Sequence, residues 1–317
     1  MMRFARRLPR PHLVSACLAL CAGVGLSMPW QPAHATDVPV QAGVAASDAT
    51  AQRVGLRLPA ADKVAFRGAV NFDKAGVAGG GAVMYPAPGL VGLLAAVATH
   101  AVVSGTMRDL EKERIRTKAD QVLAPYQSVL DAYTHQELMQ ASLAHIKTGG
   151  ARQIIAQAAS PAPGDVVIDS VPLFYLTQDH QALILDNAIS IKTAGRVTPY
   201  ENIIRIVSPE RGGQAGPDVW LGDDAGMLKW ESARMYAQAL DIALADMGTA
   251  GTAALPFKTV RYNEGASERM ERAQLISESC DYLVLRTLRG NLMAVPRKAE
   301  AQAGCGAAAT PAAAPAG

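Results

Sequence analysis

The chain has 317 residues, half of them apolar, 18% charged and 5% aromatic, with a formal charge of +2. That much apolar sequence excludes disorder as the state of the whole chain and leaves length for one large core or two small ones. Setting aside Arg3, Arg6, Arg7 and Arg10, which have no acid beside them, takes the 30 basic residues to 26 against 28 acidic ones, which argues against a dedicated nucleic-acid binder.

Those four arginines open the first element. Arg3 to Arg10 is basic, His12 to Met28 is apolar, and Ala33-His34-Ala35 is a small-x-small cleavage site. This order predicts a cleaved signal peptide over residues 1–35 and export to the periplasm. An uncleaved anchor is the alternative. Val14-Ser15-Ala16-Cys17 has the look of a lipoprotein box, but too little apolar sequence precedes it. Residues 36–60 lack periodicity and read as a linker, and 61–296 as a single domain. The Ala/Pro-rich stretch 297–317 reads as a disordered tail.

Within the domain, Lys63 to Phe72 reads as a strand, followed by a flexible connection through Gly76, Gly79, Gly80 and Gly81. Pro86 and Pro88 precede an apolar run to Met107, and the charged stretch Arg108 to Lys118 reads as the same helix entering solvent. A second helix is expected from Tyr126 to Ile146. Val166 to Leu176, Ala182 to Ile191 and Asn202 to Val207 read as an antiparallel meander. Asp223 or Asp224 is placed to cap a helix running to about Met247. A strand (Phe257 to Tyr262), a helix (Ser267 to Cys280) and a hairpin (Tyr282 to Thr287, Asn291 to Val295) close the chain. The fold class is α+β: a mixed, largely antiparallel sheet covered by helices, one of them long and apolar.

Four segments carry a resemblance: the Gly-rich stretch with its apolar helix (Gly79 to Met107), Ala182-Leu183-Ile184-Leu185, Pro199-Tyr200-Glu201-Asn202, and Val219-Trp220-Leu221-Gly222-Asp223-Asp224 before a long helix. In element order and composition these resemble uncharacterised Gram-negative cell-envelope proteins of lipoprotein type. That pattern is similar in turn to the periplasmic domains of the curli-secretion lipoprotein and of penicillin-binding-protein activators. The likeness covers residues 60 to 250. It implies a role in envelope assembly and transfers no functional residue.

A catalytic signature is missing: the sequence has no Gly-x-Ser-x-Gly, His-Glu-x-x-His, Cys-x-x-Cys or P-loop pattern. Gly79-Gly80-Gly81 lacks the spacing of a dinucleotide fingerprint. His100 reads as a core histidine, and His180 beside Asp179 as turn chemistry. His135 and His145 lie ten residues apart, about 15 Å of helical rise, too far to share a metal. No cofactor and no metal are therefore expected. Arg261, Arg286 and Arg289 are the candidate anion- or partner-binding residues, provided Arg261 and Arg286 share a sheet face. Cys280 and Cys305 are a candidate disulfide in an oxidising compartment. A buried thiol ending the Ser267–Cys280 helix is the other reading of Cys280.

Pro88 to Met107 carries no full charge and is long enough for a membrane span. It reads as a buried core helix or as a span, and gives the expected membrane contact. The functional expectation is an exported, non-enzymatic binding or scaffolding protein with envelope proteins as partners. A membrane-tethered subunit anchored by residues 88–107, and an enzyme lacking recognisable motifs, are the alternatives.

Overall fold

The organising element is β4 (Val166–Leu176), whose eleven residues are all buried or half-buried. In this computed structural model, residues 53–70, 107–159, 164–193, 196–211, 216–249 and 255–298 are described. The expected signal peptide and the expected Gly76–Gly81 connection, together with Pro88 to Thr106, His100 and Cys305, lie outside them.

β4 pairs antiparallel with β5 (Leu183–Lys192), and β5 with β6 (Tyr200–Val207), giving the expected meander. On its other edge β4 takes two short parallel strands in tandem. β1 (Val54–Arg57) covers Val166 to Asp169, and β2 (Ala65–Gly68) covers Leu173 to Leu176. Pro172 falls in the stretch between them, where a missing N–H leaves no rung unmade on that edge. β3 (Arg152–Ile155) adds a further parallel strand outside β1. Beyond β6 the sheet continues through β10 (Leu292–Pro296), β9 (Tyr282–Thr287), β8 (Ser267–Glu278) and β7 (Phe257–Glu264). The result is a ten-stranded mixed sheet whose long pairings are antiparallel.

The helices among the described residues differ from those expected. α1 (Met107–Ala119) is the charged stretch, with Glu111–Arg114 and Glu113–Arg116 paired at i,i+3. A 3-10 helix (Asp120–Tyr126), α2 (Gln127–Leu130) and α3 (His135–Ser142) replace the single helix expected from Tyr126 to Ile146. Pro125 holds the first of these in 3-10 form, and Thr134 restarts the chain as an N-cap, accepting from the Glu137 N–H at 3.1 Å. The expected long apolar helix falls on undescribed residues apart from Met107. No helix among the described residues is long and apolar enough to cross a membrane, and sheet predominates.

α4 (Asp218–Gly248) matches the expected helix, with Leu228, Met235, Tyr236, Ala239, Leu240 and Ala243 buried. It breaks at Gly222–Ala225, where Asp223, Asp224 and Ala225 adopt left-handed φ of 52–58°. Asp223 and Asp224 thus stand inside a kink that joins a short first turn to the long helix.

Two further corrections concern the ends of the domain. Val54–Arg57, assigned to the 36–60 linker, is strand β1, with Val54 and Leu56 in the core; four residues are too few to show a period. Ser267–Cys280, expected as a helix, is strand β8. Its Glu, Arg, Met and Gln are strong helix formers, but hydrogen bonding to β7 on one edge and β9 on the other overrides local propensity. Cys280 accordingly stands exposed in the β8–β9 turn, not buried at a helix end.

Side chains alternate across the sheet. One face, with Ile168, Phe174, Leu185, Ile189, Ile204 and Ala294, forms the main core against α4, α3 and the 3-10 helix. The opposite face holds a smaller cluster of Ile184, Val207, Leu285, Met293 and Val295, to which the β7–β8 hairpin adds Tyr262 and Ala273.

Candidate functional site

The three arginines singled out in the sequence end in different surroundings. Arg286 on β9 lies 2.5 Å from Asp246 near the end of α4, and the second Asp246 oxygen accepts from the Tyr200 hydroxyl at 2.9 Å. Burial, then the Asp246 charge, pushes the Tyr200 hydroxyl above its ordinary range. Arg261 on β7 is exposed and pairs with Glu268 at 3.2 Å. Arg289 is exposed in the β9–β10 turn, where Gly290 supplies a φ of 83°.

The register, Arg261 opposite Met270 and Arg286 opposite Gln274, puts Arg261 and Arg286 on one face of the sheet. Two strand spacings, about 10 Å, and four residues, about 13 Å, nevertheless separate them. Each has its own carboxylate, so the two do not form one anion pocket.

The strongest polar cluster is one that the sequence did not single out. Arg205 (β6) stands opposite Asp186 (β5) on the inner face of the hairpin-wrapped half and makes a two-pronged contact at 2.7 and 2.8 Å. Both side chains are at most 15% exposed. Glu264 at the end of β7 lies 3.9 Å from Arg205 and accepts from Arg269 at 2.8 Å. Burial works against the Arg205 charge, but the Asp186 carboxylate more than restores it and holds the guanidinium above its ordinary range. Glu271, half-buried on the same face of β8, is pushed above the usual glutamate range by burial, opposed by Arg205 and Arg289. The alternation Arg269, Glu271, Ala273 would have revealed this face, had β8 been read as a strand.

A second cluster lies beside α4. The Glu231 side chain is 2% exposed and is held by Arg211 at 3.2 Å and Arg234 at 2.5 Å. Arg234 also donates to the Tyr282 hydroxyl at 2.6 Å, and Arg211 lies over the Trp220 ring.

The β4–β5 turn connects the parts. Gln178 donates to the carbonyls of Ala69 and Ala119, both at 3.1 Å. Asp179 accepts from Thr177 Oγ1 and from the N–H groups of Gln181 and Ala266. Burial alone would raise the Asp179 carboxyl, but these donors outweigh it and hold it below the usual range. His180, at a φ of 59°, shares a 2.8 Å hydrogen bond with the Tyr126 hydroxyl, and its carbonyl accepts from Trp220 Nε1 at 2.6 Å. The Asp179-His180 turn thus fastens elements distant in sequence.

His135 is buried at the start of α3, its Nδ1 donating to the Ala61 carbonyl at 2.7 Å, and burial holds its pKa below 6.5. His145 stands edge-on to Trp230, with ring centroids 6.0 Å apart. Among the described residues no group of three or more His, Cys, Asp or Glu is placed to hold a metal.

No protein-family model matches the chain, and neither curated proteins nor solved structures show significant similarity to it.

Proposed function

We propose that the protein is an exported cell-envelope component that binds or scaffolds other envelope proteins without catalysing a reaction. The observation that carries this reading is the N-terminal order of basic, apolar and small-x-small segments, which fits a cleaved periplasmic signal. The resemblance of residues 60 to 250 to lipoprotein-like envelope proteins adds to it. The fold is consistent with a scaffold, because its most deeply placed charges brace one element against another. Cells expressing a C-terminally tagged form test the reading. Release by osmotic shock, at the size of a chain cleaved after Ala35, is expected; an uncleaved chain in the cytoplasmic fraction overturns it. Turnover by the pure protein in a metabolite screen would remove the non-enzymatic part.

A second reading, a membrane-tethered subunit, draws on one further observation. The charged helix Met107–Ala119 follows directly in the sequence on the uncharged run from Pro88. The basic residues after that run would satisfy the positive-inside rule. Retention of the protein in membranes through alkaline carbonate extraction favours this form, and release by osmotic shock rejects it.

A further inference from the structure

The β7–β8 hairpin turns one face inward, with Tyr262, Glu264, Arg269 and Ala273, and leaves the other outside the cover of α4. On that outward face Phe257 and Met270 are exposed, Met270 to 61%. Arg261 stands directly opposite Met270, and Arg272 is exposed opposite Thr259. The pairing of Ala273 with Thr287 brings the β9–β10 turn alongside, and its Leu288 is exposed as well. Apolar prongs and arginines therefore interleave on a two-stranded surface. The hairpin's carboxylate on this face is Glu268, which Arg261 and Lys298 both engage, so the surface carries a net positive charge. Arg272 has no ion-pair partner among the described residues.

We propose that this outward face is a docking surface for an anionic lipid bilayer. The charge pattern selects an anionic partner. The spacing selects lipid over protein: a protein interface wants a contiguous apolar centre, with charges confined to its rim. Single apolar side chains between arginines instead fit the boundary of headgroups and acyl chains, where the prongs enter and the guanidinium groups stay with the phosphates. The proposal goes beyond the envelope reading and does not depend on export.

The test is co-sedimentation of the full chain with vesicles of phosphatidylcholine, with and without phosphatidylglycerol. Binding to the anionic vesicles is expected, with loss at high salt. The pair Arg261→Glu/Arg272→Glu and, separately, the pair Phe257→Ser/Met270→Ser are each expected to weaken it about ten-fold or more. All four positions are exposed, and circular dichroism verifies that the variants fold; Arg272→Ala gives a milder check, with a smaller loss in the same direction. Wild-type binding by all variants overturns the proposal and moves the contact elsewhere, for instance to Pro88–Met107. Equal binding to neutral vesicles overturns it, as does binding to heparin or an acidic protein without binding to vesicles. None of these results bears on whether the chain is exported.

Discussion

The two faces of the sheet are held by different means. Under α4 the cover is apolar and continuous, with Leu228, Met235 and Leu240 on Leu185, Ile189, Ile204 and Ile206. Burying each such side chain contributes about 1.5–3 kcal/mol. On the opposite face the hairpin brings little beyond Tyr262, Val260, Ala273 and Leu275. It is fastened by Arg205–Glu264 and the Asp179 clasp on Ala266, with Asp186 holding Arg205 in place and Arg269 holding Glu264. Charge pairs surrender hydration when buried, so their net gain is small, but they are directional. Apolar area supplies the stability of this domain; the ion pairs fix where the hairpin lies.

Substitutions can break that contrast. The largest effect is expected at Gly68, where a Cβ would come within 2.0 Å of the Ala119 carbonyl oxygen. Neither backbone can yield, so Gly68→Ala should cost about 4 kcal/mol or more in thermal unfolding. Next is Arg205→Met, which strands a buried Asp186 and should cost about 3–5 kcal/mol. Adding Asp186→Leu should recover most of that loss, and a double-mutant cycle with no recovery would show that the pair does more than orient. Gly265 has a φ of 57°, and a Cβ there would meet the Asp179 carboxylate at 2.6 Å. Gly265→Ala should cost about 2 kcal/mol and raise hydrogen exchange in β7 and β8 while leaving the α4 side protected.

Asn187 runs the other way. It is fully buried on the apolar face, and neither side-chain amide atom has a hydrogen-bond partner among the described residues. Asn187→Leu should stabilise by about 1–2 kcal/mol in denaturant unfolding. The smallest effect is a pH dependence from His135. Its folded pKa lies below 6.5, so the folded protein binds fewer protons than the unfolded chain as pH falls past that value. Stability should decline below pH 6.5, and His135→Gln should flatten that slope between neutral pH and the lowered folded value.

The sequence carried the fold where a period had room to show itself. β4, β5, β6, β9 and α4 span enough residues for apolar alternation or helical spacing to appear. β1 and β3, at four residues each, owe their existence to parallel partners distant in the chain. β8 was misread because its composition favours a helix, and with it went the inner face that carries Glu271 and Arg269. The Arg205–Asp186 pair shows only once the β5–β6 register is known. Arg261 and Arg286 were legible as candidates, yet their partners, Glu268 and Asp246, lie on a neighbouring strand and a distant helix.

Gln178 grips two carbonyls, Ala69 and Ala119, that lie far apart along the chain. Gly68 meanwhile donates its N–H to Asp120 at 2.8 Å. The chain is thus stapled at both ends of residues 70–118, and the entropy of closing a loop grows only with the logarithm of its length. A change in the length of 71–106 should therefore add little to the cost of closure while Gly68, Ala69, Ala119 and Asp120 keep these bonds.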